Sequence, residues 1–508
     1  MPGTVRGRAG GGGCDGPIVL LSMASPSKRL RKSVAGNDSD DGNDRPGRFA
    51  RLIPVLTGLT ALVGLLGWLQ KQPCASSNFD FIKTTTNGCY TDIYPLYYVR
   101  GLNDGKVPYF DSFSGSDTIH YVEYPVLSGG FMQLVAWLVK PFGVDGRGMA
   151  FFNVTVLFLI VLAIGAVLAT AYAAGRRSLR TGLMVALSPA LLLTAYINWD
   201  LLAVALTALA LAAWSARRPT LAGALLGFAI AAKFYPLLFL GPLVLLCVRA
   251  GQWRAMGRML GGTAAAWLLV NLPVMIFAWD GWREFYSFSQ KRGVDWGSIF
   301  FYLQDHGLEK ATSDTETLNL LGTGTFLVLA AGIAVLAFVA PTRPRLPQLM
   351  FLVLVAFMLP NKVWSPQYVL WLLPLAVLAR PKLPAFVVWQ VGEIAYFFGI
   401  WWFLLSVSAQ TPGQDLSGTM SAVLSLDAPD GGISEDVYHL ALFARFVTVL
   451  ALAALVVWDV LRPSGDLVRA DGADDPSGGV LDGADDVIAL SRWRRRRGFH
   501  HADVPLAT

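Results

Sequence analysis

Charge is scarce in this chain. Asp, Glu, Lys and Arg make up 15% of its 508 residues, against about 25% in an ordinary soluble protein, and His and Cys number only 5 and 4. That supply of polar side chains is too thin for a soluble enzyme of this length. No Walker-type phosphate loop, GxSxG elbow, HExxH zinc motif or glycine-rich dinucleotide fingerprint occurs. What the chain has instead is apolar length. Hydrophobic residues reach 54%, and stretches approaching 20 apolar residues recur from Leu52 to Leu461. The fold class expected is all-α, a polytopic integral membrane protein with about 11–13 transmembrane helices. Residues 50–461 form that membrane domain. The flanks, 1–49 and 462–508, are rich in Gly, Asp, Ser and Arg and are expected to be disordered. GPIVLLSMA is too short for a signal sequence, so the first span is expected to be an uncleaved anchor, with either Met1 or Met23 as the start.

Lys28, Arg29, Arg31, Lys32, Arg45, Arg48 and Arg51 precede the first span, which by the positive-inside rule predicts a cytoplasmic N-terminus. The other short basic connections are GRRSLR (175–180), ARRP (216–219), RAGQWRAMGR (249–258), PTRPRLP (341–347) and ARPKLP (379–384), and all are expected on that side. Parity then keeps residues 126–142 from being a full span. A Gly pair, Gln, Lys and Pro interrupt this segment, and it is expected to lie along the outer surface on one apolar face; the alternative is an ordinary span with a misleading GRRSLR loop. This leaves a long first outer loop, 71–147, carrying Asp80, Asp92, Asp104, Asp111, Asp117 and Glu123. A later outer loop covers 279–317, short outer turns surround Asn198 and Lys362, and a further loop runs from 408 to 439. The C-terminal RWRRRR (492–497) belongs to the cytoplasmic side, where anionic lipid head groups attract it; nucleic acid is not an expected partner. Cys74 and Cys89 share the first outer loop. An oxidising exterior lets them pair, closing a loop worth roughly 3 kcal/mol, or leaves two free thiols.

A carboxylate in such a loop is ordinarily just solvated. Asp92 stands apart, because YTDIYPLYYVRGL alternates Tyr94, Tyr97 and Tyr98 with Ile93, Leu96 and Val99 as an interface-lying helix would. A lone carboxylate held there among aromatic rings suits a general base acting on a hydroxyl. Lys233 sits between two apolar half-length segments in LLGFAIAAKFYPLLFLGP, where its ammonium either snorkels to the surface or meets an anion such as a phosphate. Arg283, Arg292 and Lys362 are further outer-side cations able to share that role. Asp200, in NWD beside Asn198, is either a second polar contact or a helix cap. The 16 Trp and 15 Tyr serve as interfacial belts or as faces for stacking on sugar rings.

In chain order, YTDIYPLY, VPYFD, EYPVLSGGFMQLVAWLVKPFG, GRR, NWDLLAVALTALALAAW and LAGALLGFAIAAKFYPLLFLGP resemble the type C (GT-C) glycosyltransferases. VWSPQYVLWLLPL resembles the aromatic outer turn of glycosyltransferase family 87, the actinobacterial mannosyltransferases that use polyprenol phosphate mannose. The resemblance covers most of 52–461. It implies a GT-C-like membrane domain with juxtamembrane helices in the first outer loop, with Asp92 as catalytic base and Lys233 as a donor-phosphate contact. Glu123 to Pro125 then belong to the acceptor-side wall, and Tyr94, Tyr124, Asn198, Asp200, Trp364 and Gln367 are further substrate contacts. Many family members carry His where Gln367 stands, which removes a proton-shuttling group from that turn here. The expected activity is inverting transfer of a hexose, mannose foremost, from a polyprenyl-phosphate donor to an envelope glycolipid or polysaccharide at the outer face of the plasma membrane, with both termini cytoplasmic. No cofactor is required; a divalent metal is an option through Asp92 with Glu123 or Asp200. The rival expectation is a transporter or flippase. Against it, the chain shows no inverted repeat and its charges collect at the outer face.

Overall fold

The structure, a computed structural model, describes residues 45–113, 119–409 and 431–488. Residues 1–44, Asp117, most of the 408–439 loop and RWRRRR lie outside the described residues. Arg45–Ala50 is the opening of a helix; from Arg51 the chain forms one compact unit. Among the described residues every regular element is helical. That is the solution a bilayer demands of an open chain, since a helix satisfies its backbone groups internally.

Among the described residues six helices are long and apolar enough to cross a membrane: Phe49–Ala75, Val144–Ala173, Trp253–Phe277, Thr315–Val339, Leu383–Ser408 and Glu435–Leu461. Shorter apolar helices of 10–17 residues include Asp200–Ser215, Pro219–Ala232, Tyr235–Arg249, Leu346–Met358 and Pro366–Ala379. The chain is a polytopic membrane protein, as its composition predicts. The 14 residues of Pro219–Ala232 rise only about 21 Å, less than the ~30 Å hydrocarbon layer. Ends of such helices are recessed relative to their long neighbours. Non-helical backbone at that depth must be buried in protein or line a cavity, and Asn198, Lys233 and Gln367, at the ends of three short helices, all line one. Val126–Leu138 has 13 residues, too short to span alone.

The Val144–Ala173 helix separates the two ends of the bundle. Near its start Gly148 lies against the Tyr98 hydroxyl, and at its finish the Ala173 carbonyl accepts a hydrogen bond from Ser477 Oγ at 3.0 Å. The basic connections collect at this second end: Arg177, Arg249, Arg343, Arg345 and Arg380 all bond to residues between Leu455 and Asp486.

Here the structure departs from the composition-based expectation of a disordered tail from 462 onward. Residues 462–488 are folded into a strap across the end of the bundle, with Asp466, Asp475, Ser477 and Leu481 buried. Its aspartates find partners in distant loops: Asp466 on Arg345 at 2.7 Å, Asp471 on Arg177 at 2.6 Å, and Asp486 on both Arg249 and Arg343 at 2.7 and 2.9 Å. Gly479, at φ +60°, lets the strap press on the end of the Asp200–Ser215 helix, where a Cβ would stand 1.9 Å from the Trp214 carbonyl oxygen.

Candidate active site

The site is built around a short, heavily tethered segment, Gly88 to Asp92. Cys89 is disulfide-bonded to Cys74 at the end of the first helix, with Cα atoms 6.2 Å apart, so the two cysteines of the first loop do pair. Gln70 Nε2 donates to the Gly88 carbonyl at 2.7 Å, and the buried Lys71 Nζ donates to the Tyr90 carbonyl at 2.9 Å. Thr91 Oγ1 donates to the Tyr196 carbonyl and the Asp92 amide to the Ile197 carbonyl, both at 2.7 Å. Asp92 is thereby fixed against the turn that carries Asn198. Closure of a loop of this size is worth about 3 kcal/mol against the unfolded chain. Replacing Cys74 and Cys89 by Ser is therefore expected to lower the unfolding midpoint in detergent, and dithiothreitol should reproduce the loss in the wild type but add nothing to the variant.

Asp92 opens a cavity of about 460 Å³, within the range of sites that enclose small ligands. Its charged lining consists of Asp92, Arg100, Glu123, Lys233, Arg292 and Asp295. Three of these cations are already matched. Arg100 grips Glu123 with two hydrogen bonds of 2.7 and 2.5 Å. Lys233 lies 2.8 Å from Asp200 Oδ1, and Asp200 Oδ2 accepts from Trp371 Nε1 at 2.8 Å. Arg292 pairs with Asp295 at 2.6 Å. Asp92 differs: Oδ1 accepts from the Tyr90 hydroxyl at 2.7 Å, and Oδ2 has no partner among the described residues. Burial pushes its carboxyl up to about 6, with the Tyr90 hydrogen bond and the Lys233 charge pulling the other way. A carboxylate so placed is basic enough to take a proton yet ionised near neutrality.

The structure brings Asp92, Glu123, Tyr124, Asn198, Lys233, Arg292 and Gln367 into one cavity from six separate stretches of chain. Asp200 joins them through Lys233, and it is a counter-ion held by Lys233 and Trp371 rather than a free contact. Four of the residues expected in the site are placed elsewhere. Arg283 is exposed and paired with Asp280 one helical turn away. Lys362 Nζ donates to the Gln290 carbonyl, outside the lining. The Tyr94 ring packs on Phe79 and Tyr98, because that face of the Ile93–Val99 helix turns from the cavity. Trp364 is fully buried behind the wall, under the Arg445 guanidinium at 4.2 Å. Arg445 also donates to the Trp364 and Ser365 carbonyls at 2.7 and 3.0 Å, holding the turn that delivers Gln367.

Sequence reasoning passed over Tyr90, Arg100, Asp295, Tyr368 and Trp401, all of which line the cavity. The 23-residue gap between Arg100 and Glu123 carries no periodic signal, and Trp401 lies inside an apolar span where an aromatic residue is unremarked. Tyr90, two residues before Asp92, was the one within reach of local reading.

The model of glycosyltransferase family 87 matches residues 121–366. Over those residues, just under half of the chain, the sequence is similar to that family. The match takes in Glu123, Lys233, Arg292 and Asp295, while Asp92, Gln367 and Trp401 fall beyond its limits. No curated protein matches this chain. Among solved structures, the apo crystal structure of the Archaeoglobus fulgidus oligosaccharyltransferase is similar at 12% identity and a TM-score of 0.34, covering 89% of this chain. This chain spans 58% of that protein's length, and a likeness so loose carries no argument about activity.

Proposed function

We propose that this chain is a family 87 glycosyltransferase that moves a hexose, mannose foremost, from a polyprenyl-phosphate carrier to a hydroxyl of an envelope glycolipid or polysaccharide, with inversion. The observation that carries the reading is Asp92, a lining carboxylate without a basic partner among the described residues, in a cavity shared with Arg100, Lys233 and Arg292. In this scheme Asp92 Oδ2 takes the proton of the acceptor hydroxyl as its oxygen attacks the anomeric carbon. The bond from that carbon to the phosphate oxygen breaks, and the carrier phosphate leaves with the electron pair. Lys233 spends one of its three N–H donors on Asp200 and Arg292 part of its guanidinium on Asp295, so both retain donors for the leaving phosphate. Protonating the leaving group is unnecessary, because a phosphate departs as an anion. The tyrosine and tryptophan rings of the lining supply faces for sugar.

The positive-inside rule supports a plasma-membrane orientation with both termini cytoplasmic and the cavity outward: the basic connections share the strap end and the cavity opens at the other. An outward cavity also suits a lipid-borne donor, since nucleotide sugars stay in the cytoplasm. The test is transfer of labelled sugar by the purified protein in proteoliposomes, from polyprenyl phosphate mannose and, separately, from GDP-mannose. Transfer from the lipid donor alone is expected, at a rate unchanged by EDTA. Transfer from GDP-mannose overturns the donor class. Label that crosses the bilayer still attached to its carrier makes the protein a flippase, and an EDTA loss restored by Mg²⁺ or Mn²⁺ moves the leaving-group role from Lys233 to an ion.

A further inference from the structure

Asp92 occupies the N-cap position of the Ile93–Val99 helix, where a carboxylate ordinarily accepts backbone N–H bonds. It makes no such bond. The hydroxyl of Thr91 takes the Ile93 amide instead, at 3.1 Å, and the Asp92 carboxylate is left to a single donor, the Tyr90 hydroxyl. Tyr90 is held independently of that bond. Its ring stacks on Trp401 with centroids 4.5 Å apart and planes 23° from parallel, its carbonyl is anchored by Lys71, and its neighbour Cys89 is in the disulfide. Deleting the hydroxyl alone therefore leaves the ring and the backbone in place.

We propose that Tyr90 is the positioning residue of the transfer reaction: by occupying Asp92 Oδ1, its hydroxyl fixes the carboxylate rotamer and presents Oδ2 as the one oxygen that receives the acceptor proton. The inference rests on Asp92 being the base. A carboxylate free to rotate about its Cα–Cβ and Cβ–Cγ bonds meets the acceptor in the reactive geometry only part of the time, and it can drop back to cap its own helix. Tyr90 removes both alternatives. The other titratable groups facing this pair are Glu123, Tyr124, Asp200, Lys233, Arg292 and Asp295. Of the cations, Lys233 and Arg292 are turned to Asp200 and Asp295, and the contact on the Asp92 carboxylate is that of the Tyr90 hydroxyl alone among the described residues.

The experiment compares wild type, Tyr90→Phe, Tyr90→Leu and Asp92→Asn in the proteoliposome transfer assay across pH 5 to 9, with unfolding midpoints for each. Tyr90→Phe is expected to keep its midpoint and KM while kcat at pH 7 falls on the order of tenfold, the scale of one hydrogen bond to a charged group. The hydroxyl favours the ionised carboxylate, so without it the acid limb of the kcat profile moves to higher pH and part of the loss is recovered at pH 9. Tyr90→Leu also removes the ring stack and is expected to lose midpoint as well as rate. A Tyr90→Phe protein with the wild-type kcat and acid limb overturns the proposal, and so does a loss equal at every pH. Activity retained by Asp92→Asn marks the different failure, that of Asp92 as base.

Discussion

Asp92→Asn is expected to lower kcat by a factor on the order of 10² to 10⁴, the contribution of a well-placed general base, while the protein remains folded. The amide has the same shape and its oxygen still accepts the Tyr90 hydroxyl, so the tethered segment from Gly88 to Asp92 keeps its contacts. Stability should move in the opposite direction from activity. Burial raises the Asp92 carboxyl to about 6, above its value near 4 in an unfolded chain, so the fold disfavours the ionised form. That cost is absent below about 4, grows between the two values and is complete above about 6. A neutral amide never incurs it, and at pH 8 the variant should unfold at or above the wild-type midpoint. The same titration predicts that kcat/KM of the wild type falls as pH drops through about 6, because the base is then occupied. Asp80 and Glu123 are the other carboxylates in reach by sequence. Asp80 caps the Phe81–Asn87 helix, accepting from the Lys83 amide at 3.2 Å, and Asp80→Asn should leave the rate unchanged. Glu123→Gln should cost stability as well as rate, since it leaves the largely buried Arg100 with half a partner. An Asp92→Asn protein with near-wild-type kcat would sink the assignment of the base.

How far the sequence reached depends on whether a residue's meaning is local. Apolar length is local, so the helical membrane class was readable, and Lys233 stood out because it interrupts two segments each too short to span. Asp92 was legible through the aromatic pattern beside it. The pattern nevertheless misplaced Tyr94, since an interfacial helix turns only one face toward the cavity and periodicity does not say which. Arg283 and Lys362 stand out by charge and side alone; Arg283 satisfies itself one helical turn away on Asp280, and Lys362 on the distant Gln290 carbonyl. Tyr368 and Trp401 escaped for the converse reason: they look like belt or span aromatics until distant helices bring them to Asp92. The strap shows the same limit in reverse. Glycine, aspartate and serine suggest disorder when the chain is taken alone, but here arginines of three basic connections, Arg177, Arg249, Arg343 and Arg345, meet the aspartates at that end of the bundle.

Asp466→Ala, at the opposite end of the molecule from the cavity, is expected to destabilise the fold by about 3–5 kcal/mol, the usual cost of stranding one member of a buried ion pair. Arg345 and Asp466 are almost fully buried, with side chains 2% and 3% exposed. The carboxylate accepts from Arg345 Nε at 2.7 Å and NH2 at 3.1 Å, from Gln348 Nε2 at 3.1 Å and from the Val468 amide at 3.0 Å. Arg345 in turn donates to the carbonyls of Leu378 and Ala379 at 2.8 and 2.6 Å, so one aspartate closes the junction of two helix ends and the strap. Without it, the buried guanidinium keeps two carbonyl partners and only the more distant Asp475 as counter-charge. Asp471→Ala is the matching control. Its pair with Arg177 is partly solvated, at 38% and 18% exposure, and its loss should cost no more than about 1 kcal/mol. Thermal unfolding of both variants in detergent separates the two cases. Whatever fraction of Asp466→Ala remains folded at low temperature should keep the wild-type KM and acid limb, because the cavity lining includes no residue of the strap among the described residues. A midpoint for Asp466→Ala no lower than that of Asp471→Ala would mean that the strap is carried by the bundle rather than holding it.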